Sequence, residues 1–309
     1  MSLVLVALGG NALLRRGELP AAELQRHRVE EAADAIAALA NENDVVVTHG
    51  NGPQVGLLAL QSAAVPGVPP YPLDVLGAES EGMIGYLLEQ ALGNRLPGRP
   101  VATLLTQVVV DAGDPAFGSP TKPIGALYDE DTARRLARER GWSVAPEGAG
   151  WRRVVPSPEP LDVVELTTIR LLVDAGVVVV CAGGGGIPVV RTEGWLRGIE
   201  AVIDKDLAAA FLGRVLEADA LLLLTDVAAV ERDFGTDAAA PIARATPEEL
   251  RTLEFASGSM GPKVEAACRF AEATGRRAAI GALEQAAAVA AGTAGTQIAP
   301  SATWAGLTS

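Results

Sequence analysis

Only three of the chain's 25 basic residues are lysines, Lys122, Lys205 and Lys263; the remaining 22 (25 − 3) are arginines. Each lysine sits in a short segment marked by Gly, Pro or Asp: Thr121-Lys122-Pro123, Asp204-Lys205-Asp206 and Gly261-Pro262-Lys263. An ammonium is a compact point charge, whereas a guanidinium is a wide planar fork. A chain that uses Arg almost everywhere would keep Lys where the fork does not fit, and a tight phosphate pocket is such a place. The alternative is three chance survivors on a solvated surface. Asp204-Lys205-Asp206 carries the same ambiguity. In one reading Lys205 is aimed at a phosphate and Asp206 holds one or more lysine side chains. In the other Asp204 simply caps a solvated helix start. Lys263 follows a turn, Ser257-Gly258-Ser259-Met260-Gly261, with Pro262 at a first-turn position, and could equally be a surface residue.

Phosphoryl transfer suits this set, because its catalysis is positioning plus charge neutralisation and needs no covalent nucleophile. There is no Ser/His/Asp constellation. Of the two histidines, His27 falls on a polar helix face, and His49 precedes a turn and reads as structural.

Three strand-to-glycine junctions must position the lysines. The apolar run Leu3–Leu8 reads as a strand buried on both faces and ends in Gly9-Gly10-Asn11. Asp44–Thr48 runs into His49-Gly50-Asn51-Gly52-Pro53, and Val177–Ala182 into Gly183-Gly184-Gly185-Gly186. Glycine lets bare backbone N–H groups approach an anion, although one such junction alone is also an ordinary loop. Recurrence gives the pattern its weight. Neither GxxxxGK[ST] nor GxGxxG occurs, which excludes the P-loop and dinucleotide fingerprints.

Around these junctions the chain alternates strands and helices. Helices are predicted at 21–40, 73–92, 129–140, 162–175, 247–254, 262–274 and 283–291, and one from Asp206 to near Leu216. Further strands are predicted at Val101–Val110, Ala220–Leu224 and Ala278–Ile280, with a hairpin about Glu193-Gly194 and a final edge strand at 295–298. From Asp111 to about Leu161 the texture turns to Pro, Gly, Trp and charge, which reads as an inserted subdomain or lid. The rhythm predicts an α/β fold with a mostly parallel sheet between helices, and ligands beyond the strands' C-terminal ends.

Composition bounds the rest. A net charge of −13 argues against a nucleic-acid surface. The N-terminus lacks a basic n-region, and the uncharged run 175–190 is too short to span a bilayer, so no membrane is expected. Two cysteines are too few for a disulfide framework or a zinc site, which suits a reducing cytoplasm.

The segments ALGGNAL (7–13), THGNGPQVG (48–56), EGMIGY (81–86), TQVVVD (106–111), DPAF (114–117), TKPIG (121–125), GWRRVVPSPEP (150–160), AGGGGIPVV (182–190), EAVIDKDLA (200–208) and GSMGPKVEAA (258–267) resemble the carbamate kinases of the amino-acid kinase superfamily. The match runs in order to about residue 298. The resemblance implies a three-layer αβα fold with an open, eight-stranded, mainly parallel sheet, a protruding lid and a homodimer. It implies an N-terminal lobe, 1–175, binding carbamate or carbamoyl phosphate and including the lid insert 112–161. A nucleotide-binding lobe, 176–309, would follow.

It also implies roles. Gly9, Gly10 and Asn11 would face the transferring phosphoryl group, and Gly50, Asn51 and Gly52 the carbamoyl end. Lys122 would reach in from the lid with Arg153 nearby, Lys205 and Lys263 would neutralise phosphate, and Asp206 would orient them. Gly183, Gly184, Gly185, Gly186, Asp226 and Met260 would lie along ATP or ADP. Mg²⁺ would ride on the nucleotide phosphates, with no metal ligand from the chain. The expected reaction interconverts carbamoyl phosphate plus ADP with carbamate plus ATP.

Two departures stand out. Ala7 occupies the position where kinases of N-acetylglutamate or aspartate carry Lys, which favours the carbamate branch. After Thr225-Asp226-Val227 comes Ala228-Ala229 rather than the family's Asp and aromatic residue, which bears on base stacking and nucleotide preference. Ala78-Glu79-Ser80-Glu81 is also more acidic than the family pattern. The competing readings are a kinase of another small carboxylate or phosphate, and a regulator that binds nucleotide or carbamoyl phosphate with weak catalysis.

Overall fold

A computed structural model describes residues 1–14, 18, 21–255 and 260–307. Its centre is the strand Ser2–Leu8, whose alternate side chains enter two different cores. Leu5 and Ala7 join one apolar cluster; Val4, Val6 and Leu8 join the other. A period of two with both faces covered explains why the run had to be apolar throughout. Each such Val or Leu contributes about 1.5–3 kcal/mol through burial.

The eight-stranded sheet runs Arg244–Ala245, Thr296–Ile298, Arg277–Ala282, Ala220–Thr225, Ser2–Leu8, Asn43–His49, Val178–Val180, Val101–Thr103. It is parallel except where Thr296–Ile298 lies antiparallel to Arg277–Ala282. Val178–Val180 of the second half of the sequence inserts between two strands of the first half, so one sheet crosses both. Leu8 is paired with Leu224 on one side and His49 on the other. That flush register brings Gly9, Gly50 and Thr225-Asp226 out at the same edge.

Three sequence expectations are corrected. Val101–Val110 is not one strand. Val101–Thr103 stays in the main sheet, while Gln107–Val109 joins a four-stranded sheet with Asp162–Val163, Ile187–Thr192 and Trp195–Gly198. The break falls at Thr106, whose amide turns to the Glu81 carboxylate while its hydroxyl accepts from the Ala182 amide. Side-chain bonds there replace the ladder. Thr296–Ile298 is internal rather than an edge, because the two-residue strand Arg244–Ala245 pairs on its outer side. The α-helix expected over 247–254 spans only Pro247–Leu250, held by a Thr246/Glu249 capping box.

The insert is an ordered unit. Lys122–Tyr128, Gly150–Val155 and Ser143–Glu147 form an antiparallel sheet with Gly150–Val155 in the middle, and the helix Glu130–Arg140 packs beside it. It touches the body at a glycine–glycine contact. A Cβ on Gly56, in the helix Gly52–Ser62, would lie 3.0 Å from the Gly125 Cα of the lid.

Candidate active site

The three lysines meet on two carboxylates. Asp204 caps the helix Lys205–Val215: its Oδ1 accepts from the amides of Asp206 (2.9 Å) and Leu207 (3.2 Å). Its Oδ2 accepts from Lys122 Nζ of the lid at 2.5 Å. Asp206 takes one lysine on each oxygen, Lys205 at 2.7 Å and Lys263 at 3.1 Å. Asp204 does cap the helix, but at a buried and not a solvated start, and Asp206 does hold two lysines; the pairing of Asp204 with the Lys122 ammonium is additional to both readings.

Burial should push these carboxyls up, but the ammonium groups reverse that. Lys122 and Lys205 hold Asp204 down at about 2, and Lys205 and Lys263 hold Asp206 below the ordinary carboxylate range. Burial also pulls on the lysines. For Lys205 the two aspartates outweigh it and raise the pKa, whereas Lys263 is lowered by burial and by Lys205 beside it. Two buried ammonium groups sharing one carboxylate leave an excess of positive charge with little solvation. An oxyanion such as phosphate has the charge and acceptor geometry to satisfy it.

The glycine turns bring the parts together by close approach. A Cβ on Gly50 would sit 2.8 Å from the Gly10 amide nitrogen and 3.3 Å from the Lys205 side chain. The first two turns and the lysine stem thus occupy one spot, and no other residue fits there. The amides of Gly9 and Gly50 are already engaged, donating to Leu224 and Leu8 carbonyls. Backbone donors for an anion therefore begin at Gly10, which opens the short helix Gly10–Leu13, whose first-turn amides have no intrahelical acceptor. Asn11 contributes its backbone to that turn; its side chain lies outside the described residues. Asn51 and Gly52 open the helix Gly52–Ser62, and Asn51 donates to Ser80 Oγ at 2.8 Å.

The third turn, Gly183–Gly186, packs as a keystone. Gly184, Gly185 and Gly186 have φ of +68°, +98° and +85°, which L side chains rarely adopt. A Cβ on Gly183 would strike His49, on Gly184 Asn51 and on Gly185 the Ile203 carbonyl. The turn thereby fixes the second glycine loop and the approach to Lys205 in one contact. Its amides are largely spent: Gly183 donates to Glu81 Oε1 at 2.7 Å, and Gly185 and Gly186 donate within the turn.

His49 is fully buried, with Nδ1 3.1 Å from the Gly50 carbonyl. Burial drops its pKa to about 4, which leaves the ring neutral and able to donate that bond.

Asp226 is exposed where the strand Ala220–Thr225 ends, and its carboxylate accepts from Thr225 Oγ1. Met260 begins the helix Met260–Thr274 that carries Lys263 and packs at the margin of the apolar core. The preceding Ser257, Gly258 and Ser259 lie outside the described residues. Arg153 is not drawn to the lysine cluster: its guanidinium stacks 4.9 Å over Trp142 and stands 3.8 Å from Glu200.

Over residues 2–282 the chain matches the amino acid kinase family. It is 54% identical over 297 residues to the carbamate kinase of Haemophilus influenzae, covering 96% of each chain. It is 56% identical over 284 residues to that of Rhizobium meliloti, covering 91% of this chain and 88% of the relative. It superposes on the solved structure of Giardia lamblia carbamate kinase bound to AMP-PNP with a TM-score of 0.89. Identity there is 41%, covering 96% of this chain and 98% of that one. The chain belongs to the amino acid kinase family, in its carbamate kinase branch. It is an ATP-dependent kinase, and the mainly parallel αβα sheet is that family's fold.

The sequence marks Glu81 only as the end of the acidic run Ala78-Glu79-Ser80-Glu81 and the start of EGMIGY, with no role attached to it. It is completely buried, and its two oxygens accept from the amides of Gly183 and Thr106. Burial raises its pKa to about 8, against the pull of those two amides.

Proposed function

We propose that the chain catalyses reversible phosphoryl transfer between carbamoyl phosphate and ADP, giving carbamate and ATP. The observation that carries the reading is the sharing of Asp206 by Lys205 and Lys263, with the lid's Lys122 on Asp204 two residues away. In the ATP-forming direction an ADP β-phosphate oxygen attacks the phosphorus of carbamoyl phosphate. The bond from phosphorus to the carbamoyl oxygen breaks and carbamate leaves. No bond to the protein forms. Lys205 and Lys263 neutralise the equatorial oxygens, and Asp206 keeps two like charges at one place.

Lys122 has a second part. Its ammonium pairs with Asp204, so a phosphoryl group engaged by the lid would share or replace that carboxylate as its anion. Gly10 and Asn11 would supply amides to that group, and Gly9 the room to turn. Gly50, Asn51 and Gly52 would face the carbamoyl end. Asp226 and Met260 would flank the nucleotide, with Gly183, Gly184 and Gly185 beneath it. The residues present suit Mg²⁺ only as an ion carried on nucleotide phosphates. Among the described residues no three His, Cys, Asp or Glu side chains are grouped for a metal, and both Asp206 oxygens are taken by lysines. Bound there, Mg²⁺ would neutralise phosphate charge.

The proposal extends to a homodimer in the cytoplasm. Two free, buried cysteines suit a reducing compartment, and exposed apolar side chains such as Val65, Val68 and Tyr86 offer surface for a second copy. No helix among the described residues is long and apolar enough to cross a membrane. The test is ATP formation from ADP by the purified chain, with carbamoyl phosphate and acetyl phosphate as rival donors. Preferential use of carbamoyl phosphate supports the reading. Preference for acetyl phosphate moves the chain to another small carboxylate, and binding of carbamoyl phosphate without turnover makes it a regulator.

A further inference from the structure

A cavity of about 630 Å³ lies between the lid and the body, with none of the three lysines in its lining. The lid supplies Ile124, Tyr128, Arg140, Trp142 and Arg153; the body supplies Leu60, Tyr71, Leu76 and Glu200. Its charged groups are unlike those at the lysines. The guanidinium groups of Arg140 and Arg153 stack on the Trp142 ring, at 5.0 and 4.9 Å from its centroid. Among the described residues neither donates a hydrogen bond, and the nearest carboxylate, Glu200, stands 3.8 Å from Arg153, beyond hydrogen-bond length. Stacking satisfies the faces of a guanidinium and leaves its in-plane N–H donors open, in the fork that matches a carboxylate.

Two arginines against one glutamate leave the cavity one positive charge in excess, inside a chain whose net charge is −13. The apolar and aromatic walls around that charge ask for a ligand with an apolar body. Substrates as small and polar as carbamate or carbamoyl phosphate would leave these walls wet. We infer that this lid cavity binds a small organic monocarboxylate with an apolar or aromatic body, its carboxylate on Arg140 and Arg153 and its body against Trp142, Tyr128 and Leu60. The inference does not depend on the proposed reaction.

Such a ligand would also touch the machinery indirectly. Arg153 pairs across the lid sheet with Ile124, two residues from Lys122. Occupancy would tie the lid to the helix Gly52–Ser62, whose first turn is the second glycine loop.

Phenylacetate, acetate and 2-phenylethanol are the probes, titrated into the full chain and followed by isothermal calorimetry. Acetate has the charge without the body, and 2-phenylethanol the body without the charge. The expected result is saturable phenylacetate binding at least about tenfold tighter than either control, since both the charged bond and the buried ring are needed. Arg140→Leu, at an exposed helix end, should weaken it about tenfold. Leu60→Glu, which puts a second carboxylate in the wall, should abolish it. Excess ADP and carbamoyl phosphate should not displace it. Absence of saturable binding, equal affinity for 2-phenylethanol, unchanged affinity in Arg140→Leu, or displacement by carbamoyl phosphate would each overturn the inference.

Discussion

The lysine cluster and the lid cavity concentrate cations in two opposite ways. At Asp204 and Asp206 every ammonium rests on a carboxylate oxygen at 2.5–3.1 Å, and the lysines are substantially buried. In the cavity the guanidinium groups lie on an aromatic face, and their nearest carboxylate is at 3.8 Å. A point charge with three donors can leave one acceptor for another without losing its place, which is what a moving phosphoryl group requires. A planar fork stacked on indole is fixed in orientation and suits a ligand that stays put.

Lys263→Ala should widen the contrast most. With only Lys205 left on Asp206, turnover should fall by about 10² or more, the loss typical of one transition-state donor, while the fold persists. Steady-state rates alongside circular dichroism decide this, and near-normal turnover would take Lys263 out of the mechanism.

Asp204→Asn comes next, because it touches the lid partner and the helix cap together. Lys122 would lose its charged partner, and KM for carbamoyl phosphate should change more than kcat. The Asn side chain still caps, so the loss of stability should come from the broken ion pair and not from the helix end. Equal KM values in Asp204→Asn and wild type would mean that the ion pair is incidental.

The smallest effect concerns pH. Glu81 has its folded pKa raised to about 8, above the unfolded value, so its proton stabilises the fold only while it is bound. The contribution is fully present below about pH 4.5 and fades as pH rises through 8. Glu81→Gln cannot titrate. Its melting temperature should therefore fall less steeply between pH 5 and 8 than that of wild type, whatever its absolute value. Identical slopes would remove Glu81 from that account. Asp204 and Asp206 act in the opposite sense. Their folded pKa values are depressed, so their stabilisation is present above about pH 4 and is lost on acidification, for Asp204 as pH falls toward 2.

The parts legible in the sequence were those with one local cause. The run Leu3–Leu8, the restarted α/β rhythm, the lid's change of texture and the three lysines each announce themselves through residue type. What was not legible depended on distant partners. The break in Val101–Val110 is set by Glu81 and Ala182, 25 and 76 residues from Thr106. The sheet's outer strand, Arg244–Ala245, is too short to carry a pattern. Asp204 looked only like a helix cap, because its second oxygen meets Lys122 across 82 residues of chain. The family resemblance puts Arg153 beside Lys122. Its cross-strand partner Ile124 does put it on the Lys122 face of the lid sheet, but its guanidinium lies over Trp142 and lines the cavity instead of reaching the lysine cluster.

The sharpest test of the lysine account is the rate of ATP formation from ADP and carbamoyl phosphate by Lys205→Arg, set beside Lys205→Ala and wild type. If a compact ammonium between Asp206 and Gly50 is what the reaction needs, restoring charge as a fork should not restore rate. Both variants should then fall by about 10² or more. A Lys205→Arg enzyme running at the wild-type rate would contradict it.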